Sequence, residues 1–270
     1  MLRKDLATTA AWSDLLGELD QWGHCGCVAT LWWRDDDAVT ASRQLDRLIS
    51  LAGEVPLSLA VIPAIADSRL ASLIDNLYRS PQSAHLSVLQ HGWCHANRAV
   101  IGKKSEFPAE RSCHAVKSEL AAGRERLTAL FGTCALPVLV PPWNRIASRF
   151  LPLLPACGFG GISCVKPRHE VSPVPGITEV NVHVDLVAWT ENRAFIGEGV
   201  ALGGIVGHLK ARRLAKVDAQ EPTGILTHHL VQDDATNEFL CRLVAITGEH
   251  SAARWIAAAE VFANVLGAGR

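Results

Sequence analysis

Short apolar runs alternate with helix-spaced apolar positions along nearly the whole chain. Trp12, Leu15, Leu16 and Leu19 repeat at helical spacing and predict an N-terminal helix over residues 5–20. Residues 28–33 then read as a strand, and residues 38–52 as a helix carrying Leu45, Leu48, Ile49 and Ala52 on one face. The same reading predicts strands over 56–62, 86–89, 136–140, 161–165, 180–186 and 225–231. Helices are predicted over 68–77, 108–131 and 200–217, with a shorter one over 148–156 that Pro152 and Pro155 should curtail. Two further helices, near 237–246 and 252–266, are expected to close the chain. No repeat, linker or low-complexity tract interrupts this order, so residues 1–270 are expected to form one domain, with the helices of 5–20 and 237–266 packed on it.

Strands that alternate with helices imply parallel strands joined by crossovers. Their short, wholly apolar character fits burial on both faces. Polar residues mark the strand ends: Asp35-Asp36-Asp37, His91 with His95, Pro142-Trp143, Asp185 with Trp189, and His228-His229. In a parallel α/β fold that edge is where binding loops converge. Five strand ends supplying such groups favour a closed or nearly closed ring over an open sheet.

Composition narrows the function. The 270 residues carry 26 basic against 27 acidic side chains, for a formal charge of −1, and 49% are hydrophobic. That balance excludes a disordered or collagen-like chain. It supplies no overall field for nucleic acid or an anionic membrane, so neither partner is expected. No apolar run reaches about 18 residues and no signal-peptide pattern follows the charged N-terminus, which leads to the expectation of a soluble, cytoplasmic protein. The eight Cys are scattered, Cys134, Cys157, Cys164 and Cys241 in apolar contexts, as buried thiols are. Lys210 to Lys216 reads as a solvated helix face.

Three adjacent carboxylates cannot be buried without counter-charges. Taken alone, the Asp triplet reads as a solvated turn capping the next helix. The pair His91 and His95, four apart on what would be one helical turn, changes this. Neutral imidazole is the commonest nitrogen ligand for a divalent cation, and two His with a carboxylate from a neighbouring strand end describe a site with open positions. Of His228 and His229 only one can face the mouth of a barrel, and Asp185 is placed to hold a protonated His.

These motifs resemble, in chain order, those of the NodB-like polysaccharide deacetylases (carbohydrate esterase family 4). The resemblance implies a deformed (β/α)7 barrel of the glycoside hydrolase/deacetylase type. Arg34-Asp35-Asp36-Asp37-Ala38 resembles the family's T-F-D-D-G, which puts Asp36 at the base position and Asp37 at a metal-ligand position. A register one residue earlier, Asp35 and Asp36, stays open. His91-Gly92-Trp93-Cys94-His95 resembles H-[ST]-x-x-H and implies both His ligands. Val140-Pro141-Pro142-Trp143 resembles R-x-P-[YG], with Val140 in place of the Arg; Arg145 or Arg34 could supply that charge. Asp185 and Trp189 match the later Asp…Trp motif, and Leu226-Thr227-His228 matches L-x-H, with His228 as general acid.

What the resemblance implies is a metal-dependent amide hydrolase that removes an N-acyl group from an amino sugar or polysaccharide. The implied cofactor is a divalent cation on Asp37, His91 and His95, zinc first, with cobalt, nickel or manganese as alternatives. Asp36, His228 and Asp185 are the expected catalytic residues. Trp93, Pro142, Trp143, Asn144, Trp189 and Leu226 are the expected substrate contacts, since indole faces suit a carbohydrate or other small-molecule substrate. The competing readings are a non-catalytic carbohydrate-binding barrel, a deacylase of a non-sugar amide, and another metal hydrolase using His183 and Asp185.

Overall fold

The computed structural model describes residues 2–79 and 86–263. Its first half runs α1 (Leu2–His24), β1 (Ala29–Ala38), α2 (Arg43–Ala52), β2 (Leu57–Val61), α3 (Ser68–Tyr78), β3 (Leu86–His91), α4 (Cys113–Phe131) and β4 (Ala135–Val140). The second half runs β5 (Gly161–Ile162), β6 (Thr178–Glu179), β7 (Val184–Asp185), α5 (Glu198–Arg213), β8 (Thr223–Thr227), α6 (Asp234–Glu249), β9 (Ala253–Trp255) and α7 (Ala258–Val261).

All strand pairings are parallel, in the order β6-β5-β4-β3-β2-β1-β8-β7, with β9 beside the start of β1. The ring is drawn together by a Val165–Val182 bridge, whose residue Val182 follows β6 and precedes the pairing of His183 with Gly224. This curled parallel sheet wrapped by helices is a deformed (β/α) barrel. Alternation along β1 sorts its side chains. Trp32 points inward and packs with Ala60, Leu89, Val138, Val140 and Leu226, while Trp33 points outward into the layer between barrel and helices. Both indoles are fully buried.

Several elements differ from expectation. Residues 253–255 form β9, not a helix: β1 begins at Ala29, before its pairing with β2 starts at Arg34, and β9 satisfies the backbone groups left there, pairing with Ala29–Leu31. Only Ala258–Val261 is helical beyond it, and residues 264–266 lie outside the described residues. The segment 148–156 makes 3-10 turns, because Pro152 and Pro155 each remove an amide donor. Of the expected strand 180–186 only Val184–Asp185 (β7) is strand, and β6 (Thr178–Glu179) precedes it. The basic run at the end of α5 is a solvated face only in part: Lys210 and Lys216 are exposed, but buried Arg212 bonds Thr30 and Thr223, and Arg213 pairs with Glu18. Cys241 is exposed, and Cys134 and Cys164 are half-buried; all eight thiols are free. No described helix is long and apolar enough to cross a membrane.

Candidate metal centre and its surroundings

The Asp triplet is not a solvated turn. Asp35 and Asp36 are buried, and α2 is capped instead by Ser42, whose side chain accepts from the Leu45 amide. Burial is possible because each carboxylate has a different basic partner. Asp35, facing outward, accepts from the Thr227 hydroxyl at 2.6 Å and the His229 amide at 3.0 Å, and pairs with His229 Nδ1. Asp36, facing inward, takes both Nε (2.8 Å) and a terminal nitrogen (3.1 Å) of Arg34, two residues earlier on the same face. Asp37 turns toward His91 and His95.

A bulge makes the third orientation possible. Asp35 pairs with Leu59 and Ala38 with Val61, so three steps on β1 match two on β2. Asp37 sits in the bulge with φ of +74°, a conformation Asp tolerates better than most residues. Its Oδ1 lies 3.2 Å from His91 Nε2 and 3.4 Å from His95 Nε2. The two His do not share a helical turn as expected. His91 ends β3, and the chain leaves it through Gly92 at φ +60° and returns His95 at φ +55°. Buried Glu106 holds that loop: its carboxylate accepts from the Trp93 and Cys94 amides at 3.1 and 2.8 Å. A Cβ on Gly92 would fall 2.0 Å from Glu106 Oε2 and 2.6 Å from the Pro142 ring, which explains the Gly.

The donor set fits a divalent cation. His91 Nδ1 lies 3.0 Å from the Val140 carbonyl, which can only accept, so Nδ1 carries the proton and Nε2 of neutral His91 directs a lone pair at Asp37. Asp37 Oδ1 is buried without a hydrogen-bond partner. A lone pair facing an orphaned carboxylate oxygen is repulsive unless a cation, or a proton, lies between them. Where a proton fills that place, burial works against ionised Asp37, but a hydrogen bond from protonated His91 and the positive charges of His91, His95 and His228 outweigh it and hold its carboxyl well below the usual range. Burial and His91 push His95 down, which keeps its nitrogen available as a ligand.

Of the two Arg expected to replace the charge absent at Val140, Arg34 is the one that lies on Asp36. Its guanidinium is wholly buried and also donates to Ser163 Oγ at 2.7 Å, Asn144 Oδ1 at 2.6 Å and the Cys164 carbonyl at 3.3 Å. Arg145, the other candidate, points away and bonds the Lys104 carbonyl. Across the mouth, His228 Nδ1 is 3.9 Å from Asp185 Oδ1, within ion-pair reach but without a hydrogen bond. Asp185 is anchored by the Trp189 indole at 2.7 Å and the Val187 amide at 3.0 Å. Burial nonetheless raises its pKa.

Of the expected substrate contacts, half-exposed Trp189 stands edge-on to His228, with ring centroids 4.7 Å apart. Trp143, at φ +56°, packs on His95 at 4.3 Å. Trp93 flanks the His loop, Pro142 is buried against Gly92, and Asn144 is engaged by Arg34. Leu226 lies in the barrel interior. A cavity of about 490 Å³ opens beside Asn144 and Cys164, lined also by Phe107, Ile146 and Leu151. Two features escaped the sequence reading. The Asp35–His229 pair could have been found from strand alternation, which sends Asp35 away from Asp36. Glu106 had no local signal at all.

His183, offered as a ligand in the third competing reading, is nowhere near this centre. It lies at the opposite end of the barrel with His208 and Glu221. Its Nδ1 accepts the Gly224 amide at 2.9 Å, so neutral His183 carries its proton on Nε2 and has no free lone pair for a cation. That reading is set aside.

The barrel is the fold of the carbohydrate esterase family 4 deacetylases. A polysaccharide-deacetylase-type protein of Mycobacterium smegmatis superposes with a TM-score of 0.60 at 16% identity, over 90% of this chain and 92% of that one. A family 4 acetyl xylan esterase from Clostridium thermocellum, crystallised with cobalt, gives 0.53 at 13% identity over 87% and 91%. A mutant of a family 4 pseudoenzyme with restored activity gives 0.54 at 13% identity over 87% and 68%. No protein-family model matches the sequence. No curated protein matches it either.

Proposed function

We propose that the protein is a metal-dependent hydrolase that removes an N-acyl group from a non-peptide amide, with an amino sugar or polysaccharide as the substrate class. The observation that carries this is the orphaned, buried Oδ1 of Asp37 facing His91 and His95, one residue from a carboxylate fixed by Arg34. Asp37, His91 and His95 are the ligands, and zinc is the first choice of cation. When bound, such a cation supplies Lewis-acid polarisation to the amide carbonyl and the attacking water.

The chain's own residues do the rest. Asp36 is the general base, its carboxylate held in one orientation by the Arg34 fork, with a lone pair left on each oxygen to take a proton. His228 is the general acid that protonates the departing amine, with Asp185 as its nearby anion and Trp189 fixing Asp185. Trp143 and Trp189 offer aromatic faces on two sides of the mouth.

The test is metal analysis of protein purified without added cation, followed by acetate release from N-acetylglucosamine oligomers and a panel of other N-acyl amides. Bound metal is expected, with turnover that falls about 10²–10⁴-fold in Asp36→Asn and in His228→Ala. Activity that survives both substitutions overturns these roles. Stoichiometric metal with no turnover on any amide assigns the chain to the non-catalytic binding barrels, and turnover confined to non-sugar amides shifts the substrate class.

A further inference from the structure

The connection from β3 to α4, which begins with His91 and His95, carries a loop that the chemistry above does not use. Its neck is closed: the Arg98 amide donates to the Ser105 carbonyl at 2.8 Å, and Asn97 Oδ1 accepts from the Ala99 and Ser105 amides at 3.2 and 3.0 Å. The Arg145 side chain ties it from outside through the Lys104 carbonyl at 3.0 Å. Gly102, at φ +79°, turns the tip. That tip is Val100 and Ile101, 91% and 84% exposed, the most exposed large apolar side chains among the described residues.

Two adjacent aliphatic side chains held in water by a closed neck gain nothing for the isolated chain. Their surroundings indicate what they meet. Residues 96–105 contain Arg98, Lys103 and Lys104 and no acid, and exposed Arg145 adds a fourth cation beside the neck. The next acid, Glu106, is buried and turned toward the Trp93 and Cys94 amides. Ile65, Trp189 and Leu230, on the connections after β2, β7 and β8, expose further apolar surface at the same edge of the barrel.

We propose that this edge docks on an anionic bilayer, with Val100 and Ile101 entering the headgroup–acyl boundary and Arg98, Lys103, Lys104 and Arg145 meeting lipid phosphates. An aliphatic tip with cations set behind it matches a surface that is anionic outside and apolar just beneath. The formal charge of −1 conceals this local cluster, which is why whole-chain arithmetic gave no expectation of a membrane. Docking so would turn the mouth holding Asp37, His91 and His95 toward the lipid. The inference does not depend on amide hydrolysis.

The experiment is co-sedimentation of the full chain with vesicles of mixed phosphatidylcholine and phosphatidylglycerol, and with phosphatidylcholine alone, at low and high salt. Binding to the mixed vesicles that weakens with salt is expected. Val100→Asp with Ile101→Asp should reduce it to background. Lys103→Ala with Lys104→Ala should weaken it about 25-fold, at roughly fivefold per cation. All four side chains are exposed, so thermal melts of both variants should match the parent. No binding to mixed vesicles, equal binding to phosphatidylcholine alone, or undiminished binding by the double Asp variant overturns the proposal. A stable complex with another protein that the double Asp variant disrupts, in the absence of vesicle binding, also overturns it and makes the loop a protein interface.

Discussion

Arg34→Met is the sharpest probe of the site. In the parent, the guanidinium is fully buried and satisfies both oxygens of Asp36, itself only 1% exposed. The substitution fills similar volume but strands an anion in the barrel interior, and breaking a buried pair from one side costs about 3–5 kcal/mol. For a chain of this size each kcal/mol lowers Tm by about 2–4 °C, so a drop on the order of 10 °C is expected. Asp36→Asn should cost less, about 1–3 kcal/mol. Arg34 would keep Ser163, Asn144 and the Cys164 carbonyl as acceptors. In the double variant the stranded charge is gone, so its loss should fall short of the sum of the singles by about 2 kcal/mol.

Urea denaturation of the four proteins measures that coupling. Activity should follow a different order. Arg34→Lys keeps the charge but not the fork, so it should retain much of the stability and lose about 10²-fold in kcat through misplacement of Asp36. Strict additivity in the double variant, or parental stability of Arg34→Met, would refute the view that Arg34 exists to hold Asp36.

Gly92→Ser should cost about 2–4 kcal/mol, from the positive φ and from overlap with Glu106 and Pro142, and Glu106→Ala, which strands the Trp93 and Cys94 amides in the parent, should cost less in that background than in the parent; thermal melts test both. Chelation should lower Tm in the parent but not in Asp37→Asn, since a cation at a hundredfold its Kd stabilises by about 2.7 kcal/mol. His229 supplies a pH signature. Burial opposes its charge, but Asp35 outweighs that and raises its pKa in the folded chain. Its contribution is therefore complete below about pH 6.5, the unfolded value, and is lost as pH rises through the folded value. The difference in urea midpoint between the parent and His229→Gln should shrink over that window, and a constant difference would show that the Asp35–His229 pair carries no charge-linked stability.

The order of strands and the residues at their ends were legible because both depend on local pattern: apolar runs bury on two faces, and polar residues cannot continue into the barrel. Of the two short strands after β5, Val184–Asp185 lies inside a longer expected run, whereas Thr178–Glu179 had no signal, being too brief for a periodicity and existing only by pairing with a distant neighbour. β9 was missed for the same reason; its place is decided by unpaired backbone on β1, not by its own sequence. The site divides along the same line. Asp37, His91 and His95 sit in motifs, but the geometry that unites them comes from a bulge and a loop folded on Glu106, and neither announces itself locally. The Arg absent at Val140 left Arg145, or Arg34 as the alternative, to supply the charge. Period-two alternation already allowed the alternative: Arg34 and Asp36 share the inward face of β1, so a side chain long enough to fold back can meet its neighbour there. The place of Arg34 also explains how a third carboxylate is accommodated. With Arg34 committed inward to Asp36, Asp35 faces the helices without a counter-charge of its own strand, and His229, the residue after the proposed acid, supplies it. The three-Asp run is thus one arrangement of three separate pairs, and substituting any one partner should disturb the carboxylate it holds before it disturbs the other two.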